Sequence, residues 1–208
     1  EDVFALVMDF VDGVTLERLI SEMGRLPVAD AIAIVRQVAQ GLSEAHTHGL
    51  VHRDIKPANI MLEPLPAGDF FAKILDFGIV RTAAGPVAGE SFVGTPTYSA
   101  PEQIEEDDNQ DHRVDIYSLG ATLFHLVAGR PPFVANPMAT MVQHLTKPPP
   151  SLLDLVEDQP GLEALDEIVQ RMLAKDRDAR FESVVDVVHA LDRASEEGRR
   201  TMTLQQVS

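Results

Sequence analysis

The sequence predicts a mainly α-helical fold with a few short β-strands, and two observations carry that prediction. Apolar residues recur at three-to-four spacing over long stretches, between Pro27 and Gly49 and again at 114–128, 162–173 and 183–194. The strand-like apolar pieces are by contrast very short: Leu50-Val51, Ile60-Met61-Leu62 and Ala72-Lys73-Ile74-Leu75. The stretch 114–128 is apolar on nearly every side, through Val114, Ile116, Leu119, Leu123, Phe124, Leu126 and Val127, which marks a helix buried in the middle of a domain. At 208 residues and 45% apolar content the chain can form one domain with a substantial core.

The elements follow in order. Residues 3–11 are an apolar run without alternation, the pattern of a strand covered on both faces. Asp12-Gly13 turns the chain, Thr15 is placed to cap a short helix carrying Leu16, Leu19 and Ile20, and Gly24 ends it. Pro27 suits the first position of a long helix whose buried stripe is Ile32, Val35, Val38, Ala39, Leu42 and Ala45. Residues 79–93 have no periodicity and read as a loop. Gly129-Arg130-Pro131-Pro132 ends the buried helix, a further helix is expected around 137–146, and Pro148-Pro149-Pro150 breaks the chain after it. Two amphipathic helices close the domain, and the polar segment 196–208 is expected to be a disordered tail.

Charge and composition exclude several roles. A net charge of −16 disfavours nucleic acid, whose phosphates need Lys and Arg to neutralise them, and disfavours an anionic membrane surface. The absence of Cys removes disulfides and thiolate metal sites and is compatible with the cytoplasm, the location expected for this segment. No apolar stretch approaches the roughly 20 residues needed to cross a bilayer, and the acidic start is no signal peptide. His46, His48 and His52 lack zinc spacing and a supporting set of Cys or carboxylates. The run Glu105-Glu106-Asp107-Asp108 reads as a solvated loop.

Three motifs carry chemistry. His52-Arg53-Asp54-Ile55-Lys56-Pro57-Ala58-Asn59 is followed by Asp76-Phe77-Gly78 and then by Gly94-Thr95-Pro96-Thr97-Tyr98-Ser99-Ala100-Pro101-Glu102. Together they place two oxygen donors of the kind Mg²⁺ prefers and one proton-accepting carboxylate in a fixed order. Any one of these words occurs by chance, but all three in order resemble the catalytic half of a protein kinase, from about Val3 to about Leu191. Details such as Pro101-Glu102-Gln103 and Gly129-Arg130-Pro131-Pro132-Phe133 resemble bacterial members of the eukaryotic-type serine/threonine kinases. No G-x-G-x-x-G and no Val-Ala-x-Lys precedes His52, and the chain opens at Glu1. The resemblance therefore implies a protein-kinase-like fold with the hinge strand and large lobe at 1–195 and the small lobe outside the chain.

The same resemblance assigns roles. Asp54 is the carboxylate that accepts the proton of the substrate hydroxyl, and Lys56 stabilises the transferring phosphoryl group. Asn59 and Asp76 hold Mg²⁺, for which Mn²⁺ can stand in, against the phosphates of ATP. The backbone of Asp9 and Val11 meets adenine, with Met61 beneath the ring; simple core filling explains Met61 equally well. Lys56 and Thr95 point to a Ser or Thr acceptor on protein substrates. His52 and Phe77 are structural, Asp115 holds the catalytic loop from below, and Arg180 pairs with Glu102. Arg53 before the catalytic Asp implies control by a phosphate on Ser91, clamped by Arg53 and Arg81, with Thr82 a lesser site and a homodimer as the route to autophosphorylation. A pseudokinase scaffold is the competing expectation, against which Asp54, Asn59 and Asp76 all count. A small-molecule phosphotransferase is not expected to carry the segment Gly94 to Glu102.

Overall fold

The computed structural model describes residues 10–66, 69–75, 96–107 and 109–207, with side chains as far as Arg199. A short strand, β1 (Val14–Thr15), leads directly into helix α1 (Leu16–Met23). Thr15 Oγ1 accepts the N–H of Arg18 at 3.2 Å, which satisfies one of the donors a helix start leaves open, and α1 ends at Gly24. Helix α2 (Val28–Thr47) begins one residue after Pro27 rather than on it. It has no local side-chain cap; Gln159, far along the chain, accepts the Val28 N–H at 3.0 Å instead. Its stripe of Val35, Val38, Ala39 and Leu42 is fully buried.

Strands β2 (Ile60–Pro64) and β3 (Phe70–Ile74) pair antiparallel with Ile60 opposite Ile74, and β1 pairs with the other edge of β2 with Val14 opposite Leu62. Lys73 Nζ meets Glu63 Oε2 at 2.6 Å on the diagonal of the β2–β3 ladder. A one-turn helix, α3 (Pro101–Ile104), precedes the central helix α4 (Arg113–Ala128), whose residues from Val114 to Phe124 are all buried, polar Asp115, Ser118 and Thr122 included. Helices α5 (Pro137–Thr146), α6 (Leu162–Met172) and α7 (Val184–Val207) complete the chain. Helices α2 and α6 both pack on α4, and α7 lies against α2 and α6. Gly120 allows the close approach of α6, since a Cβ there would stand 2.7 Å from Cβ of Met172. The mainly helical fold with few short strands is therefore the one observed.

Two expectations are corrected. Leu50-Val51 forms no strand: it lies in extended chain with no ladder partner among the described residues, and Leu50 is 57% exposed. The segment from Glu196 is not an unstructured tail, because α7 continues to Val207. Its polar residues Glu196, Glu197 and Arg199 are good helix formers, and Gly198 seats the added turn, since a Cβ there would come within 3.2 Å of Pro160 backbone. The strand expected at 3–11 lies outside the described residues apart from its last two, and the loop at 79–93 lies outside them altogether.

Candidate active site

The loop from Val51 to Lys56 and the 3-10 turn Pro57–Asn59 join the end of α2 to β2 and carry five of the sequence-assigned residues, His52, Arg53, Asp54, Lys56 and Asn59. Asp54 and Lys56 form an ion pair, Nζ to Oδ2 at 2.8 Å. Asn59 Nδ2 donates to the same Oδ2 at 2.9 Å and to the backbone carbonyl of Asp54 at 2.9 Å. Oδ1 of Asp54 accepts no hydrogen bond from any described residue, and the side chain is 55% exposed. The carboxylate is thus gripped through one oxygen and open through the other.

The loop is held from beneath by the start of α4. Buried Asp115 accepts the backbone N–H of His52 at 2.9 Å through Oδ2 and that of Arg53 at 2.7 Å through Oδ1. His46, on the last turn of α2, places Nε2 2.8 Å from Oδ2 of the same carboxylate. Arg53 has φ 65, a left-handed conformation that a non-glycine residue adopts only when its surroundings over-determine it. Two bonds do so: its N–H goes to Asp115, and its carbonyl accepts from Gln103 Nε2 at 2.9 Å. Arg53 Nε is buried without a hydrogen-bond partner among the described residues.

His52 ties the loop to the end of β3. Its Nδ1 accepts the N–H of Asp54 at 3.2 Å, so its Nε2 is the donor to the carbonyl of Leu75 at 2.9 Å. Leu75 in turn donates its N–H to the carbonyl of Asn59 at 2.8 Å. The residue that precedes Asp76 is therefore bonded to both ends of the loop. Asp76 and Phe77, with Arg81, Ser91 and Thr95, lie outside the described residues, as does Asp9; Val11 and Met61 are half-buried.

Arg180 and Glu102 form a bidentate pair at 2.6 and 2.8 Å, both side chains buried, and Arg180 also donates to the carbonyls of Ala174, Arg113 and Lys175. The sequence reading passed over His46 as a support for Asp115 and Gln103 as a support for Arg53. Nothing local in the sequence connects His46 to a partner 69 positions away or Gln103 to one 50 positions away.

Comparison with known proteins bears on the family of the chain. The family model described as the protein kinase domain matches residues 1–191. The chain belongs to the protein kinase family. It is 40% identical over 190 residues to the serine/threonine-protein kinase PknF of Mycobacterium tuberculosis, taking in 88% of this chain and 39% of that protein. It is 35% identical over 187 residues to the serine/threonine-protein kinase PknB of Mycobacterium leprae, across 88% of this chain and 29% of that protein. The crystal structure of the PknI kinase domain of Mycobacterium tuberculosis superposes with a TM-score of 0.69 at 34% identity, covering 90% of this chain and 64% of that one. The protein kinase chain described here thus spans two fifths or less of the length of these curated relatives.

Proposed function

We propose that this chain is the large lobe of a serine/threonine protein kinase, which in the full-length protein transfers the terminal phosphoryl group of ATP to Ser or Thr hydroxyls of protein substrates. The observation that carries the reading is the asymmetric grip on Asp54. Lys56 and Asn59 occupy Oδ2, which leaves Oδ1 for the acceptor hydroxyl. Phosphoryl transfer asks little covalent chemistry of a protein, and mostly alignment and charge neutralisation. Asp54 takes up the proton of the acceptor hydroxyl as that oxygen attacks, and Lys56 offsets charge on the group in transit.

The residues present fit a magnesium ion. Asn59 spends its amide nitrogen on Asp54, so its carbonyl oxygen remains as a hard donor, and the Leu75–Asn59 bond brings the chain that enters Asp76 alongside it. Asn59 and Asp76 would hold the ion, which would supply neutralisation of the charge on the ATP phosphates. The backbone of Asp9 and Val11, with Met61, is assigned to adenine. Ser91 is assigned as a regulatory phosphorylation site facing Arg53 and Arg81, with Thr95 in the adjoining segment. The buried, unpartnered Nε of Arg53 supports that reading, because it is a donor in want of an acceptor. Autophosphorylation between two copies and action in the cytoplasm belong to the same proposal.

The deciding experiment uses the full-length protein and a Ser/Thr peptide. Asp54→Asn is expected to abolish most turnover while leaving nucleotide binding intact, and Asp76→Asn to weaken Mg-ATP binding as well. Near-wild-type rates in both variants would show that Asp54 and Asp76 do not carry the transfer, and no transfer by the wild type would leave the scaffold reading. The 208 residues alone, in which no G-x-G-x-x-G and no Val-Ala-x-Lys precedes His52, are expected to transfer phosphate very slowly or not at all.

A further inference from the structure

We infer that Lys175, Tyr117 and His144 form a one-way hydrogen-bond relay whose last member fixes the backbone carbonyl of Thr97, which makes these three side chains positioning residues for the acceptor peptide. The inference deepens the kinase reading and rests on it.

With a neutral imidazole, the direction of the relay follows from donor and acceptor capacity. The ammonium of Lys175 only donates, and the carbonyl of Thr97 only accepts. Lys175 Nζ lies 3.2 Å from Tyr117 Oη, Tyr117 Oη lies 2.8 Å from His144 Nδ1, and His144 Nε2 lies 3.0 Å from the Thr97 oxygen. Tyr117 therefore accepts a hydrogen bond from Lys175 and donates its hydroxyl to Nδ1, so His144 carries its single proton on Nε2 and donates that N–H to the Thr97 carbonyl. This requires a neutral imidazole. Burial, seconded by the charge of Lys175, pushes His144 down to about 4, so it is neutral near pH 7. Tyr117 and His144 are both fully buried. Phe133 packs edge-on against the His144 ring at 4.9 Å and beneath Lys175 Nζ at 4.6 Å, which closes the relay from the side.

Four separate parts of the fold meet in it: α4 supplies Tyr117, α5 supplies His144, the turn after α6 supplies Lys175, and the 3-10 turn Pro96–Tyr98 receives the last bond. That turn lies inside the Gly94-to-Glu102 motif, whose Thr95 the resemblance ties to a Ser or Thr acceptor on protein substrates. Its other anchor is Tyr98, whose hydroxyl meets His125 Nδ1 of α4 at 2.7 Å. Five residues beyond Tyr98, Gln103 holds Arg53 beside Asp54. The relay and Gln103 together set the turn at a fixed place relative to the catalytic carboxylate. A purely structural role would leave substrate affinities alone, or shift those for peptide and nucleotide together.

The test uses the full-length protein. With ¹⁵N-labelled histidine at pH 7, the His144 signal, assigned by its loss in His144→Gln, is expected to show a bare Nδ1 and a protonated Nε2. A charged imidazolium, or a proton on Nδ1, would overturn the relay. In steady-state kinetics Tyr117→Phe and His144→Phe are expected to raise the peptide KM about fivefold, with the KM for ATP within about twofold of wild type. His144→Gln, whose amide nitrogen takes the place of Nε2, is expected to recover most of that loss. Equal shifts in both KM values, or none, would overturn the positioning role. Should the wild-type protein phosphorylate no peptide, the kinase reading itself fails, and the histidine spectrum still decides the relay.

Discussion

At the scale of single residues, the site is organised by carboxylates whose neighbours differ. Asp54 is half-exposed and open on one oxygen, whereas Asp115 is fully buried and saturated by two backbone N–H groups and His46. Asp115→Asn keeps the size but puts an NH₂ where one of those N–H groups must donate. It is expected to cost about 2–4 kcal/mol, because the loss falls inside a buried network that also restrains the left-handed Arg53. The check is urea unfolding together with kcat, and an unchanged midpoint would show that Asp115 does not hold the loop. Asp54 and Asn59 were legible in the sequence because the motif fixes residue type and spacing together, and Asp115 through the family resemblance. Gln103, His144 and Lys175 were not, since a polar side chain gives no local sign of a partner brought to it by tertiary packing.

At the scale of elements, the periodicity of the helices was sufficient and the ends were not. The apolar stripe of α2 and the all-round burial of α4 follow from the pattern of Val, Ile, Leu and Ala. The extension of α7 past Glu196 did not follow, because its contact is a glycine against the Pro160 backbone, invisible to a hydrophobic pattern. Nor did Leu50-Val51 reveal that a short apolar piece had no ladder to join among the described residues. Two substitutions probe how the elements are joined. Gly120→Ala gains up to about 1 kcal/mol of helix propensity but forces a Cβ against Met172, and a net loss of about 1–2 kcal/mol is expected. A stabilised variant would show that α6 moves aside freely. In the Arg180–Glu102 pair, Arg180→Met strands Glu102 and also three carbonyls, whereas Glu102→Gln keeps the shape and one acceptor. Arg180→Met is therefore expected to lose about 3–5 kcal/mol, and Glu102→Gln clearly less. Equal losses by thermal unfolding would mean that the carbonyls find other donors.

At the scale of the whole molecule, the histidines make the fold sensitive to acid. Burial lowers His125 as well as His144, and the latter is brought to about 4, while an unfolded histidine titrates near 6.5. The cation that acts on the His144 ring is Lys175, which opposes its protonation, while the bond to the Thr97 carbonyl acts weakly the other way; Arg180, over the Tyr117 ring, is itself paired with Glu102. Above pH 6.5 neither the folded nor the unfolded state holds the extra proton, so the difference adds nothing. Between pH 6.5 and about 4 the unfolded chain binds a proton that the folded chain refuses, so stability falls as pH falls. The slope is about 1.4 kcal/mol per pH unit for each such group, and for His144 the loss reaches about 3 kcal/mol near pH 4. The 33 Asp and Glu residues titrate in the lower part of this window and contribute their own slope, so a single profile cannot isolate the histidine. The comparison of wild type with His144→Gln can, since the variant keeps the bond to Thr97 and removes the titration. Its unfolding free energy is expected to fall less steeply with acid by one proton's worth between pH 6.5 and 4, with the two profiles parallel above pH 7. Parallel profiles throughout would mean that His144 already takes up its proton in the folded state at mild pH, and a neutral imidazole could then not be what holds Thr97.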